Sequence, residues 1–325
     1  MTEEPIPHWP GEFVSLGDYE VFVRRVPGGA GSGVGEPALC VHGLAGSSRN
    51  WTDLMDLLRP RLDCAAVDLP GFGESAPRPD GRYTIAALAQ TTATLIERQG
   101  RGPVHLIGNS LGGAVCVKLA ARRPELVRSL TLISPALPDL NPRLDLVRFP
   151  VMSLPRVGGW ALAKFNTLSA EQRVWNVMTN CYFDAAVVAP ARLAQEVAEL
   201  ARRDTLSYAN DVLIGCVRTL TTESLRAGAM SPWRDAARCT MPTLVIYGSN
   251  DRLVSPRQAG KAARLFPDSR VVVLPRTGHV AQMERPADVA AELGQLLRGI
   301  PDWAGRLAVV TGPENGDYGV AASAG

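Results

Sequence analysis

The stretch Val104-His105-Leu106-Ile107-Gly108-Asn109-Ser110-Leu111-Gly112-Gly113-Ala114-Val115-Cys116 decides the reading of this chain. Val104–Ile107 is a short apolar run of the kind that forms a strand buried on both faces. Leu111–Arg122 is rich in small and apolar residues and reads as a helix, which Pro124 ends. Between them stands G-x-S-x-G, with no room for more than a sharp turn. In that setting the serine sits on a strained strand-to-helix corner that pushes its hydroxyl out of the backbone. Gly108 and Gly112 leave space for the strand and helix to approach. Without a strand before it and a helix after it the same motif would carry little weight.

Outward from this corner the pattern repeats. Strands are expected around Phe13–Leu16, Val21–Arg25, Ala38–Val41, Cys64–Val67, Leu130–Ile133, Thr243–Tyr247 and Val271–Leu274. With Val104–Ile107 they make eight. Helical patterns lie between them. Ile85–Gln99 places Ile85, Leu88, Leu95 and Ile96 at helical spacing, with Gly100 just past its end. Ser255-Pro256 opens another helix with a cap and a first-turn proline, and Pro286–Arg298 supplies the last. Strands alternating with helices predict an α/β fold with a mostly parallel sheet covered on both faces.

The alternation stops between Pro138 and Pro232, where only helical signals occur. Ser169 and Gln172 make a capping box, followed by Val174, Val177, Met178 and Cys181. Pro190 starts a helix with Leu193, Val197 and Leu200 on one face, and Leu213, Cys216, Val217 and Leu220 mark another. The expected division is therefore a core of residues 1–137 and 233–300, a helical cap of residues 138–232, and a disordered glycine- and alanine-rich tail, 301–325.

Composition narrows the class. A chain of 325 residues that is 46% hydrophobic buries a large core, and a net charge of +2 gives no footprint for nucleic acid or an anionic membrane. Cys40, Cys64, Cys116, Cys181, Cys216 and Cys239 are scattered, mostly in apolar runs, and read as buried free thiols. The first ten residues lack the apolar core of a signal peptide, and no 18-residue apolar run offers a membrane span. A cytoplasmic protein acting on a small molecule is expected. The Gly28–Gly35 loop lacks the lysine of a phosphate cradle and opens no helix.

A serine hydroxyl needs a base. Of the four histidines, His8 lies in an N-terminus expected to be flexible, and His105 lies within the buried strand. His42 ends a strand upstream of Ser110. His279, in Arg276-Thr277-Gly278-His279, directly follows a strand and so reaches the same sheet edge as Ser110. It is the candidate base. The base in turn needs a carboxylate. Asp251 follows the strand Thr243–Tyr247 and is preferred; Asp139, after the preceding strand, preserves the same chain order and is the rival.

Together, His42-Gly43-Leu44-Ala45-Gly46-Ser47-Ser48, Asp68-Leu69-Pro70-Gly71-Phe72-Gly73-Glu74-Ser75, Gly108–Gly113, Gly248-Ser249-Asn250-Asp251 and Gly278-His279 resemble the landmarks of capped α/β-hydrolases. That group holds esterases, carbon–carbon bond hydrolases of meta-cleavage products, cofactor-free haloperoxidases and epoxide hydrolases. The resemblance implies an oxyanion hole formed by the amides of Leu44 and Leu111, with His42, Gly43, Gly108 and Gly112 in support. It implies acyl transfer through Ser110 with no metal or organic cofactor. Epoxide hydrolases and haloalkane dehalogenases carry an aspartate where Ser110 stands, which disfavours their reactions. The carbon–carbon bond hydrolases usually carry tryptophan where Val280 stands. The apolar stretches Leu144–Leu154, Val157–Phe165 and Val212–Leu220 of the cap point to a hydrophobic acyl or alcohol group. Ester hydrolysis is the leading expectation. Carbon–carbon, thioester or peracid chemistry on the same residues, or ligand binding without turnover, are the alternatives.

Overall fold

The computed structural model describes residues 5–26, 35–139, 157–226, 231–299 and 306–309. Nine strands form one sheet: β1 Gly11–Ser15, β2 Glu20–Arg25, β3 Glu36–Val41, β4 Leu62–Val67, β5 Val104–Asn109, β6 Val127–Ile133, β7 Thr243–Gly248, β8 Ser269–Leu274 and β9 Arg306–Val309. Their spatial order is β1-β2-β4-β3-β5-β6-β7-β8-β9. The first two pairings, β1 with β2 and β2 with β4, are antiparallel; all the others are parallel.

The strand residues alternate between two cores, as a period of two requires. In β3, Leu39 and Val41 enter one core while Ala38 and Cys40 enter the other. In β7, Val245 and Tyr247 face the first and Leu244 and Ile246 the second. Both faces are covered, so β4, β5 and β7 are buried along their whole length. Helices α1 Thr52–Leu58, α2 Ile85–Gln99 and α3 Leu111–Arg122 follow the early strands. α2 begins on a Thr84 cap and ends at Gly100 with φ 61°, the left-handed position glycine takes freely. α2 and α3 cover one face with Leu88, Leu95, Val115 and Leu119; α1 covers the other with Leu54, Met55 and Leu58.

Between β6 and β7 the described residues form α4 Val157–Phe165, α5 Ala170–Cys181, α6 Pro190–Asp204 and α7 Ala209–Ser224, with no strand among them. The capping box of Ser169 and Gln172 opens α5 as its sequence requires. Val174 and Met178 of α5 are buried, but Val177 is 51% exposed, because α5 buries an i, i+4 stripe that excludes it. α8, Pro232–Ala236, precedes β7, and α9, Ala259–Leu265, follows it. α10 Ala281–Glu284 and α11 Pro286–Leu297 follow β8, with Val289 and Leu293 closing the second core.

β9 departs from the expected eight strands. It lies within the segment 301–325 read as a disordered tail, yet it pairs parallel to β8 from Arg270↔Arg306 to Val273↔Val309. Glycine- and alanine-rich flanks hid a four-residue run too short to dominate the local composition. The remainder of 301–325, the Leu144–Leu154 stretch and all but the last residue of the Gly28–Gly35 loop lie outside the described residues.

The chain leaves β3 toward β4 on one side and then returns to place β5 on the other. The strand order therefore reverses between β3 and β5, and the loops leaving their carboxyl ends diverge to open a crevice, the place where α/β sheets bind ligands. His42 leaves β3 there and Ser110 leaves β5.

Candidate active site

Ser110 has φ 53° and ψ −116°, a left-handed backbone that a non-glycine residue adopts at a cost of about 1–3 kcal/mol. Hydrogen bonds on both sides hold it there. Its N–H donates to Ile133 O (3.0 Å), and its carbonyl accepts from Ala114 N (3.1 Å) and Ala136 N (3.0 Å). The two motif glycines are forced by contact. A Cβ at Gly108 would stand 2.6 Å from Cys116 Sγ, and one at Gly112 would overlap the Val41 carbonyl. Helix α3 thus crosses directly over the ends of β3 and β5.

The preceding residue, Asn109, occupies a position the motif leaves open and to which the sequence reading gave no role. It is buried, and its Nδ2 donates to Ile133 O (3.0 Å) and to His279 O (3.1 Å). One amide thus ties the serine corner to the histidine loop. Only its type, a side chain with two donors at a buried corner, could have signalled this.

His42 is fully buried and both its ring nitrogens meet backbone. Nδ1 donates to Gly43 O (2.7 Å), and Nε2 accepts from the N–H of Leu69 (2.9 Å). Burial, more than any other influence, pushes its pKa down; Asp68 and Gly43 oppose this without reversing it. The ring is a neutral strut between the turn after β3 and the turn after β4. That second turn is itself closed by Asp68, whose carboxylate accepts from Ser48 N (2.5 Å) and Glu74 N (2.9 Å). A Cβ on Gly43 would lie 3.1 Å from Ser110 Cβ, so the His42-Gly43 turn presses on the serine corner. Leu44 follows that turn and Leu111 opens α3. Neither N–H donates to a backbone carbonyl among the described residues, as expected of a first helical residue such as Leu111.

His279 Nδ1 donates to Asp251 Oδ2 at 2.9 Å, and both side chains are buried. Asp251 Oδ1 accepts from Leu253 N (2.8 Å) and Val254 N (2.9 Å), so the carboxylate is oriented from both ends. Burial acts most strongly on Asp251 and favours protonation. The charge and hydrogen bond of His279, the Val254 N–H and the Ser134 hydroxyl together outweigh it and hold the pKa below the usual carboxylate value. With Nδ1 committed to Asp251, Nε2 is the ring's basic nitrogen. Asp139, the rival acid, lies beyond β6, with Tyr247 and Lys261 as electrostatic neighbours, and the imidazole turns to Asp251 instead.

The other histidines are occupied. His105 bonds to Ser129 Oγ (2.7 Å) and Glu36 Oε2 (2.9 Å). His8 corrects the expectation of a loose N-terminus: its Nδ1 meets Thr52 Oγ1 at 2.7 Å, and Arg192 of α6 lies against it. Burial comes first among the causes that lower its pKa to about 4, followed by Arg192, Arg49 and Arg24. Two separable residues, one on α1 and one on α6, hold this segment, which no local pattern reveals.

Helix α6 presents two stripes. Leu193, Val197 and Leu200 pack on Val174, Met178, Tyr182 and Val280, so Val280 lies under the inserted helices. On the other stripe Arg192 pairs with Asp53 (2.7 Å), Glu199 with Arg49 (3.1 Å), and Arg203 lies over the Phe72 ring (5.5 Å). Arg202 donates to Gly73 O (2.6 Å). The charged stripe therefore overlies the turns that flank His42 and Asp68. Among the described residues no group of three or more histidine, cysteine or acidic side chains is arranged to hold a metal. No described helix is long and apolar enough to cross a membrane.

Three comparisons bear on this arrangement. The chain is 28% identical over 291 residues to the dihydrolipoyllysine-residue acetyltransferase component of the acetoin cleaving system of Cupriavidus necator, covering 89% of this chain and 69% of that protein. It is 27% identical to Lipase 3 of a Moraxella species over 79% of this chain and 75% of the lipase. The crystal structure of haloalkane dehalogenase DbeA from Bradyrhizobium elkani superposes with a TM-score of 0.74 at 24% identity, covering 89% of this chain and 98% of that one, which speaks to the fold alone. Residues 37–286 match the family model described as alpha/beta hydrolase fold. On that match, and on the sheet and crossover that carry Ser110 and His279, the chain is a member of the α/β-hydrolase fold family.

Proposed function

We propose that this chain is a serine hydrolase that cleaves a carboxylic ester through an acyl-enzyme. The observation that carries the reading is the meeting of four strand ends. A strained Ser110 stands against the His42-Gly43 turn, and Asn109 joins that corner to His279, whose Nδ1 is held by buried Asp251. In the proposed reaction Ser110 Oγ attacks the ester carbonyl and its proton passes to His279 Nε2. The resulting oxyanion is held by the amides of Leu44 and Leu111, each such donor contributing roughly 2.7–4 kcal/mol to the transition state. His279 returns the proton to the departing alcohol. Water, deprotonated by the same nitrogen, then attacks the acyl carbon and frees the acid and Ser110. Asp251 keeps the ring's tautomer and offsets its positive charge in each half-reaction. No step uses a metal or organic cofactor.

The helices α4–α7, within residues 138–232, are proposed as a cap that selects the substrate. The apolar sequences of α4 and α7 support a hydrophobic acyl or alcohol group. The lipase relatives support an ester over other acyl substrates. All six cysteines are free, which fits a reducing cytoplasm.

The test is labelling by a small fluorophosphonate followed by a panel of esters, thioesters, dienones and peracid reactions. Labelling confined to Ser110 and turnover of esters above the rest is the expected result. Preference for a dienone, thioester or peracid reaction would keep the residues and change the reaction. Absence of both labelling and turnover would favour a binding protein.

A further inference from the structure

Glu284 closes α10, five residues beyond the proposed base, and its carboxylate joins two parts of the chain that are distant in sequence. Oε2 accepts from the N–H of Gly278 at 2.7 Å. Oε1 accepts from the N–H of Phe183 at 3.0 Å and of Asp184 at 3.3 Å. Gly278 is the residue before His279; Phe183 and Asp184 follow the last turn of α5. The same junction is stitched a second time, because the N–H of His279 donates to Cys181 O at 2.6 Å. A third stitch runs from Arg252, next to Asp251, to the Thr179 carbonyl. Gly278 fits only because it has no Cβ: one would overlap Cys181 O and stand 2.7 Å from Phe183 N.

We propose that Glu284 is a positioning residue that fixes the height and tilt of the His279 loop by clamping it to the end of α5. The inference rests on His279 acting as the base. Three N–H groups converge on one half-buried carboxylate, and a carboxylate offers acceptors on both oxygens where an amide offers only one. Two of those donors belong to the inserted segment and one to the histidine loop, so the side chain sets the distance between them. Glu284 touches no reacting atom in this scheme; it acts through Gly278 and the His279 backbone. Burial raises its pKa, and the three N–H donors and Arg285 offset this only in part, so part of the cost of burying the charge is borne by the fold.

The experiment compares wild type, Glu284→Gln and Glu284→Ala. Turnover of the best ester is measured together with the downfield proton resonance of the His279 Nδ1–H bonded to Asp251. A misplacement near 1 Å costs on the order of 100-fold in rate. Glu284→Ala is therefore expected to lose about that much in kcat with KM nearly unchanged, and to shift or broaden the downfield signal. Glu284→Gln keeps its shape and one acceptor, so it should lose less and retain a sharper signal; it also decides the matter if the alanine variant does not fold. A kcat within about threefold of wild type, or a loss confined to KM, would overturn the proposal, since uniform binding loss is the mark of a residue that does not orient the base. An unchanged downfield signal in both variants would overturn it too. If wild type neither turns over esters nor is labelled at Ser110, the ester reading fails by itself, and the resonance still decides the role of Glu284.

Discussion

Replacing Asp251 by asparagine is the sharpest test of the proposed chemistry. The side chain keeps its size, and its remaining oxygen can still accept from Leu253 and Val254, which now sit 2.8 and 2.9 Å from Oδ1. The Nδ2 group then faces His279 Nδ1, where Oδ2 accepts at 2.9 Å in the native chain. Two N–H groups cannot share that line, so the imidazole must place its proton on Nε2 and accept at Nδ1. In that tautomer Nε2 cannot take the proton of Ser110. The same substitution in a serine-protease triad lowers kcat by about four orders of magnitude, roughly 5.4 kcal/mol at 1.36 kcal/mol per decade. We expect a loss of that order here, with the melting temperature moved by only a few degrees. The assay is kcat on the best ester beside a thermal melt. Activity within tenfold of wild type would refute the role of Asp251. A large loss in Asp139→Asn with little in Asp251→Asn would move the acid to the end of β6.

Ser110→Ala should abolish turnover and covalent labelling while leaving the melt close to wild type; ester turnover within tenfold of wild type would remove Ser110 as nucleophile. Leu106→Ala, in the fully buried centre of β5, should cost about 2–5 kcal/mol in chemical denaturation with no selective effect on KM. A loss below 1 kcal/mol would mean the two cores are less tightly filled than they look. His8 carries a pH prediction. Its folded pKa of about 4 lies below the unfolded value of 6.5, so the unfolded chain binds more protons in between. Its contribution to stability is present above pH 6.5 and is lost as pH falls through the folded value. His8→Gln should therefore flatten the fall in melting temperature across that window, and an unaltered slope would show that His8 is not held neutral by the fold.

The fold was largely legible because its signals are local. Continuous apolar runs marked β3 to β8, and the helix ends at Gly100 and Ser169 carry caps readable within a few residues. That Ser110, Asp251 and His279 lie where the chain leaves a strand was legible for the same reason, although only Ser110 follows its strand directly. What the sequence concealed is non-local. Asn109, Glu284 and the His8–Arg192 contact all depend on pairs separated by more than a hundred residues. β9 was missed because four residues among glycines and prolines do not outweigh their surroundings. Val177 was misassigned because apolar type at helical spacing does not say which of two neighbouring stripes the core will take.

The two flanks of the site are held by different physics, and this has a consequence for how its specificity can change. On the side of His42, α6 is fixed by charged side chains: Arg192 to Asp53 and Glu199 to Arg49. Substitution there alters the fit of the helix directly. On the side of His279 the inserted segment is gripped through its main chain, by the carbonyls of Thr179 and Cys181 and the N–H groups of Phe183 and Asp184. Main-chain groups are the same whatever side chains the segment carries. In the proposed scheme, side chains along α5 can therefore be exchanged, and the substrate admitted altered, while the loop that holds His279 keeps its anchor. In that scheme such a frame separates the part proposed to choose a substrate from the part proposed to perform the reaction.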